Sequence, residues 1–438
     1  MCRGAPAELS ERRGDLRQEF VELVRLVLAL LLVVLELLEL GQQRGRAERG
    51  PRRLRRCRRA FRVRRQLSMR RIPLDPRADY RERARRMGFS FADIAGEPYW
   101  DETACWQLSA SEVDRLEDAT NEIESLARQA ADHAVRNSLN AELGIPQSVW
   151  PLIVASWEKQ EPSLYGRMDL RFDGVSRPQL LEYNADTPTA LFEASVVQWE
   201  WLTTVYPKCD QFNSLHEALI AAWPTLKLPH RVHFTCQRDS EEDRGTVDYL
   251  RDTAIQAGLE GDFLHIDEIG WDGRRFVDLS TREIAAIFKL YPWEWLLRDA
   301  FGGKIADAAT RWIEPAWRLI LSGKGMLALL WKLFPDHPNL LPTFREPGRT
   351  GGAEIKKPLF GREGANITAP GITTEGPYGQ EGFVWQRFAE LPQVGGRYAV
   401  FGSWVIAGAA HGLGIREDET AITRDSSRFV PHFFEPET

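Results

Sequence analysis

The chain has 438 residues, 43% of them hydrophobic and 27% charged, a balance typical of soluble globular proteins and enough for roughly two or three domains. Its net charge of −6 hides a split: residues 1–68 hold 17 arginines, no lysine and 8 acids, for +9, and the remainder carries −15. So acidic a body argues against nucleic acid as a partner and tolerates cationic ones. The five cysteines show no C-x-x-C and no paired spacing, which excludes a zinc ribbon or disulfide framework and fits a reducing cytoplasm.

The first 68 residues invite several readings. The uncharged run between Arg25 and Glu36 is ten residues, half of the ~20 that a membrane span needs. That length suits a signal peptide, but the run leads into Gln42-Gln43-Arg44 without a small-residue cleavage site. An amphipathic helix followed by a basic patch from Arg52 to Arg65 is a third reading. Lysine-free, arginine-rich sequence also arises when GC-rich upstream DNA is translated from an early start codon, which would make Met69 the natural opening. This reading is preferred, and no membrane association is expected.

Residues 69–160 read as mainly helical. Ser109 with Glu112 is a capping signal before Val113, Leu116 and Ala119, and the helical spacing runs on through Ile123, Leu126, Ala130 and Ala134. Gly144-Ile145-Pro146 ends the next helix. In 161–290, polar residues then fall at every second position: Arg167 and Asp169, then Glu182, Asn184 and Asp186. This alternation, with Asp173-Gly174 as a turn signal, predicts a hairpin with one strongly polar face. A helix over 191–206, a buried strand over 231–236, a helix over 242–257 and a strand over 262–266 argue an α/β layer. In 291–438, Glu354 to Pro358 enters a loop with Gly361 and Gly364, and residues 383–388 form another strand. A late hairpin spans 398–407 and 412–416, with Arg416 to Glu419 as a charged loop after it.

Asp169, Glu182 and Asn184 offer the hard oxygen ligands that Mg²⁺ prefers, and Arg167 beside them could hold a phosphoryl oxygen. The same residues would also make a solvated charged face. Lys356-Lys357 ahead of Gly361 and Gly364 suits a nucleotide clamp without a Walker A loop, or an ordinary basic strand end. Gln386, Arg387 and Phe388 could read adenine or simply form an amphipathic strand. Glu294 between Trp293 and Trp295 could cage a cation or sit beside packed core. The eight histidines include no H-x-x-x-H pair, and no G-x-S-x-G elbow occurs.

Seven ordered blocks carry a family resemblance: residues 163–169, 181–189, 289–295, 314–317, 321–325, Lys357-Pro358 with 362–366, and 414–418. Together they resemble the glutathionylspermidine synthase family, an ATP-grasp family. The likeness is greatest to its short bacterial acid–amine ligase branch, which lacks the amidase domain. The resemblance implies an α/β (α+β) ATP-grasp fold with a pre-ATP-grasp α/β domain, using ATP and two Mg²⁺ ions. It implies that Arg167 and Arg416 steady the transferring phosphoryl group, and that Asp169, Glu182 and Asn184 hold the metals. Lys357 would contact ATP and Gln386, Arg387 and Phe388 would hold adenine. Thr187 and Thr189 would lie by the carboxylate substrate and Glu294 by the amine. A second ATP-contacting lysine is expected between Asn366 and Gln386, an interval that holds no lysine at all. The function so implied is an ATP-dependent carboxylate–amine ligase acting through an acyl phosphate. A non-catalytic nucleotide-binding or scaffold protein on the same fold is the alternative.

Overall fold

Period-two polarity at 165–186 does produce a hairpin, and the hairpin lies within a sheet. In the computed structural model, which describes residues 69–436 apart from 95 and 425, the strand Tyr165–Arg171 pairs antiparallel with Gln179–Asn184. The expectations for residues 1–68 lie outside the described residues. On its other side the Tyr165–Arg171 strand pairs with Arg397–Ile406, followed in the sheet by Ala409–Asp418 and Arg428–Val430. The helix Ala110–Arg136 packs on this sheet, starting from a capping box in which Ser109 and Glu112 satisfy each other's backbone. It buries Val113, Leu116, Ile123 and a run of alanines whose small side chains allow close approach. Thr120 is pinned there by a 2.7 Å hydrogen bond between its hydroxyl and that of Ser403.

The α/β layer is a four-stranded parallel sheet ordered Arg311–Ile313, Ala286–Leu290, Arg231–Cys236, Glu260–Phe263. Residues 286–290 are all buried, as a central parallel strand covered on both faces requires. The strand expected over 262–266 is Glu260–Phe263 instead, because its register with Arg231–Cys236 begins at Glu260 and a 3₁₀ turn follows at Ile266–Glu268. The helix expected over 191–206 opens as a π-helical turn, Glu193–Val197, before Gln198–Val205.

A third, five-stranded antiparallel sheet is built around Glu354–Pro358 and Phe383–Arg387. The charged loop expected from Arg416 starts only after Asp418. Arg416, Glu417 and Asp418 lie within the strand Ala409–Asp418, where Glu417 is buried and accepts hydrogen bonds from Arg71 and Trp106. Finally Arg70–Pro73, Ala104–Leu108 and His432–Phe434 form a small sheet that ties both ends of the described residues together. Among the described residues no helix is long and apolar enough to cross a membrane.

Candidate functional site

The antiparallel sheet and the five-stranded sheet border one cleft of about 630 Å³, a size common for small-molecule sites. Every expected site residue except Glu294 lines it: Arg167, Asp169, Glu182, Asn184, Thr187, Thr189, Lys357, Gln386, Arg387, Phe388 and Arg416.

Strand register sets the polar floor. Arg167 lies opposite Asn184 and Asp169 opposite Glu182, so all four side chains share one face. Arg416 joins them across the intervening strand, where Gly402 stands opposite Asp169. A Cβ at Gly402 would come within 2.9 Å of Arg167 Cδ, so glycine is what lets that side chain cross. After Asp169 the register slips by one residue on the partner strand, a bulge that leaves Leu181 without an opposite number. Its carbonyl accepts from Lys357 Nζ at 3.0 Å.

The floor is densely bonded. Arg167 Nε donates to Asp169 Oδ1 at 2.7 Å, and Arg416 Nη2 to Asp169 Oδ2 at 2.8 Å. The Asn184 amide nitrogen donates to Asp169 and to Glu182, both at 3.3 Å. Lys324 Nζ lies 3.1 Å from Glu182 Oε2. Burial opposes the charge on Arg167, but Asp169 outweighs it and raises the guanidinium pKa. Arg416 shifts the other way, lowered by burial and by the repulsion of Arg167. Burial also works against ionised Glu182, yet Lys324 and Lys357 hold its pKa down to about 2.

The facing sheet contributes Lys357, whose amine is held by Leu181 O and, at 2.8 Å, by Gln386 Oε1. Burial lowers its pKa to about 8. Gln386 thus orients the lysine, and Arg387 turns its guanidinium back onto the Thr350 carbonyl. Phe388 packs on the cluster of Ile355 and Ile367.

Glu294 lies next to the cleft, and the cation beside it is the protein's own Arg362. Trp293 is in the core, with its indole N–H on the Glu314 carbonyl, and Arg362 lies over Trp295 and bonds Glu294 Oε1 at 3.0 Å. Arg362 also donates to the Thr187 hydroxyl at 2.7 Å. Among the described residues two buried atoms here have no partner, Glu294 Oε2 and Arg362 Nε. Thr189 contributes its carbonyl to Arg167. Behind Thr187, buried Asp186 pairs with Lys289 Nζ at 2.6 Å and accepts from the Trp293 amide at 2.8 Å. That pair ties the Glu182 strand to the segment carrying Glu294.

Sequence reasoning missed Lys324, Arg362 and Glu193. No lysine occupies 366–386, but Lys324 reaches Glu182 from the Gly323-Lys324-Gly325 turn, anchored on the Gly361 carbonyl at 2.8 Å. Gly325 permits this, since a Cβ there would meet the Leu143 backbone at 3.0 Å. Glu193 is completely buried with Tyr99 as its one side-chain donor, and burial pushes its pKa up to about 7. The donor set of Asp169, Glu182 and Asn184 fits Mg²⁺, and the cations around it fit polyphosphate. Elsewhere His233, Asp262 and Asp278 cluster, but Arg231 and Arg282 already take their carboxylates.

The mixed α/β fold thus carries a cleft whose carboxylate and amide oxygens are ringed by cationic side chains. The chain belongs to the glutathionylspermidine synthase preATP-grasp family, whose model matches residues 71–435. It is 40% identical to a Haemophilus influenzae protein provisionally named an acid–amine ligase, over 82% of this chain and 98% of that one. It is 29% identical to the trypanothione synthetase of Crithidia fasciculata and 28% identical to the bifunctional glutathionylspermidine synthetase/amidase of Escherichia coli. These matches cover 65% and 74% of this chain, but only 49% and 58% of those relatives.

Proposed function

We propose that the chain is an ATP-dependent carboxylate–amine ligase acting in the cytoplasm. The observation that carries this reading is the floor of Arg167, Asp169, Glu182, Asn184 and Arg416, faced by Lys357 in one cleft, with buried Lys324 paired to Glu182. In the reaction ATP would give its terminal phosphoryl group to a substrate carboxylate, forming an acyl phosphate. An amine would then attack that carbonyl, releasing phosphate and leaving an amide. Arg167 and Arg416 would stabilise the group in transit, and Lys357 and Lys324 the phosphates of bound nucleotide. Asp169, Glu182 and Asn184 would hold two Mg²⁺ ions, which offset phosphate charge when bound. Gln386, Arg387 and Phe388 would border the adenine. Thr187 and Thr189 would lie by the carboxylate substrate and Glu294 by the amine. A cytoplasmic setting agrees with three free thiols among the described residues, two of them, Cys105 and Cys236, pushed up to about 12 by burial. The test is an ADP-release screen of the protein against peptide and small carboxylates crossed with amines. ADP formed only when both substrates are present is the expected result. Nucleotide binding with no ADP from any pair would favour the non-catalytic alternative.

A further inference from the structure

The residues suited to a divalent cation are already occupied by the protein's own donors. Asp169 has Arg167 on one oxygen and Arg167, Arg416 and Asn184 on the other. Glu182 has Asn184 on Oε1 and Lys324 on Oε2. The Asn184 amide points its nitrogen at both carboxylates, so its oxygen is turned away from them. With Lys357 also acting on Glu182, four cationic side chains surround two carboxylates. A free divalent cation would bring its charge next to four cations already engaged with the two carboxylates and compete for lone pairs already in use. A polyphosphate would do the reverse, drawing Lys324 and the arginines onto its own oxygens and freeing Glu182 Oε2 and Asp169 Oδ2.

We propose that this cleft rejects a free divalent cation and admits one only with a nucleotide, because Arg167, Arg416 and Lys324 hold Asp169 and Glu182 until phosphates take those cations away. The inference rests on the nucleotide-binding reading above. Lys324 is then a positioning residue with two alternating partners, Glu182 in the empty cleft and phosphate in the filled one. Reversal of the Asn184 amide completes the exchange. Nucleotide needs no metal to enter, since these four cations already offer its phosphates a positive partner.

The test uses the full chain, with Mn²⁺ as probe. Free Mn²⁺ is followed by its EPR signal, with the ion alone and in the presence of a non-hydrolysable ATP analogue, correcting for the ion's own affinity for the analogue. Analogue binding in EDTA is followed by tryptophan fluorescence, Trp295 being in the cleft wall. The analogue should bind in EDTA, and Mn²⁺ should bind about 5- to 150-fold more tightly with the analogue than without it, the usual span of coupling between two sites. By reciprocity Mn²⁺ raises analogue affinity by the same factor. Lys324→Met should tighten Mn²⁺ binding in the absence of nucleotide while weakening the analogue, and Arg416→Met should do likewise through Asp169. A lysine with only a structural role would not improve metal affinity when removed. Equal Mn²⁺ affinity with and without the analogue overturns the exchange and leaves the ligase reading standing. So does unchanged or weakened metal binding in both folded variants. No analogue binding with or without Mn²⁺ would bring down the function and this inference together.

Discussion

Arg167 and Lys357 enter the cleft from its two sheets, both buried, and burial acts on their charges with opposite outcomes. Arg167 is met by the Asp169 carboxylate, so its charge is reinforced. Lys357 hydrogen-bonds only a carbonyl and an amide oxygen, and burial, with repulsion from Lys324, outweighs the pull of the Glu182 carboxylate, so its pKa falls to about 8. One wall is therefore fixed in charge, while the other carries a cation near its titration point. The fixed wall suits a group that must meet developing charge, and the second suits a contact that strengthens when phosphate arrives.

The sharpest way to break this contrast is to remove the shared carboxylate. Glu182→Gln should abolish measurable turnover while circular dichroism shows a folded protein, because Glu182 stands between Asn184, Lys324 and Lys357. Wild-type turnover in that variant would end the metal-site assignment. Next come the two cations themselves. Arg167→Ala should lower kcat on the order of 10²–10³-fold, with a smaller change in the KM for ATP, as expected of a donor acting on the transition state. Lys357→Ala should report in nucleotide affinity, roughly 10- to 100-fold, the loss of one charge-assisted hydrogen bond. If both variants shift affinity alike and leave kcat alone, the walls do not divide their work in this way.

The fixed wall was largely legible from the sequence, because strand alternation alone puts Arg167, Asp169, Glu182 and Asn184 on one face. What alternation cannot supply is the strand that joins from the far end of the chain. Arg416 reaches Asp169 across 247 residues. Nor did it supply the bulge at Leu181, which hands a carbonyl to Lys357. Lys324 and Arg362 fall within two of the blocks that carry the resemblance, 321–325 and 362–366, but their roles were not legible, for a related reason. Each stands in a glycine-flanked or loop segment with no periodicity, and only the tertiary fold brings them to Glu182 and Thr187. Glu294 was placed near the site, but its partner proved to be Arg362 and not an empty aromatic cage. Glu193 lies in a π-helical turn, where a buried acid breaks the expected pattern and no local signal announces it.

Glu193 sharpens the comparison by the smallest expected effect, one of stability. It and Glu182 are both acids near Arg167, yet lysines hold Glu182 down to about 2, while Glu193, with Tyr99 and one unpartnered oxygen, rises to about 7. Glu314 is pushed to about 7 as well, by burial. A carboxyl raised from 4.5 binds more protons folded than unfolded, so its contribution is complete below pH 4.5 and is lost as pH rises through about 7. His432 opposes this on the acid side. Burial lowers its pKa from 6.5 to about 3, so its contribution is present above 6.5 and falls away as pH drops below that. Between pH 6.5 and 7.5 the two acids outweigh His432 and Lys357, whose lowered pKa values oppose them, and urea midpoints should fall as pH rises. One proton can impose a slope of up to about 1.4 kcal/mol per pH unit. Glu193→Gln removes one of the two acids and should flatten that decline by at least half. A midpoint slope over this range that is identical in wild type and Glu193→Gln would mean that Glu193 stays ionised in the fold.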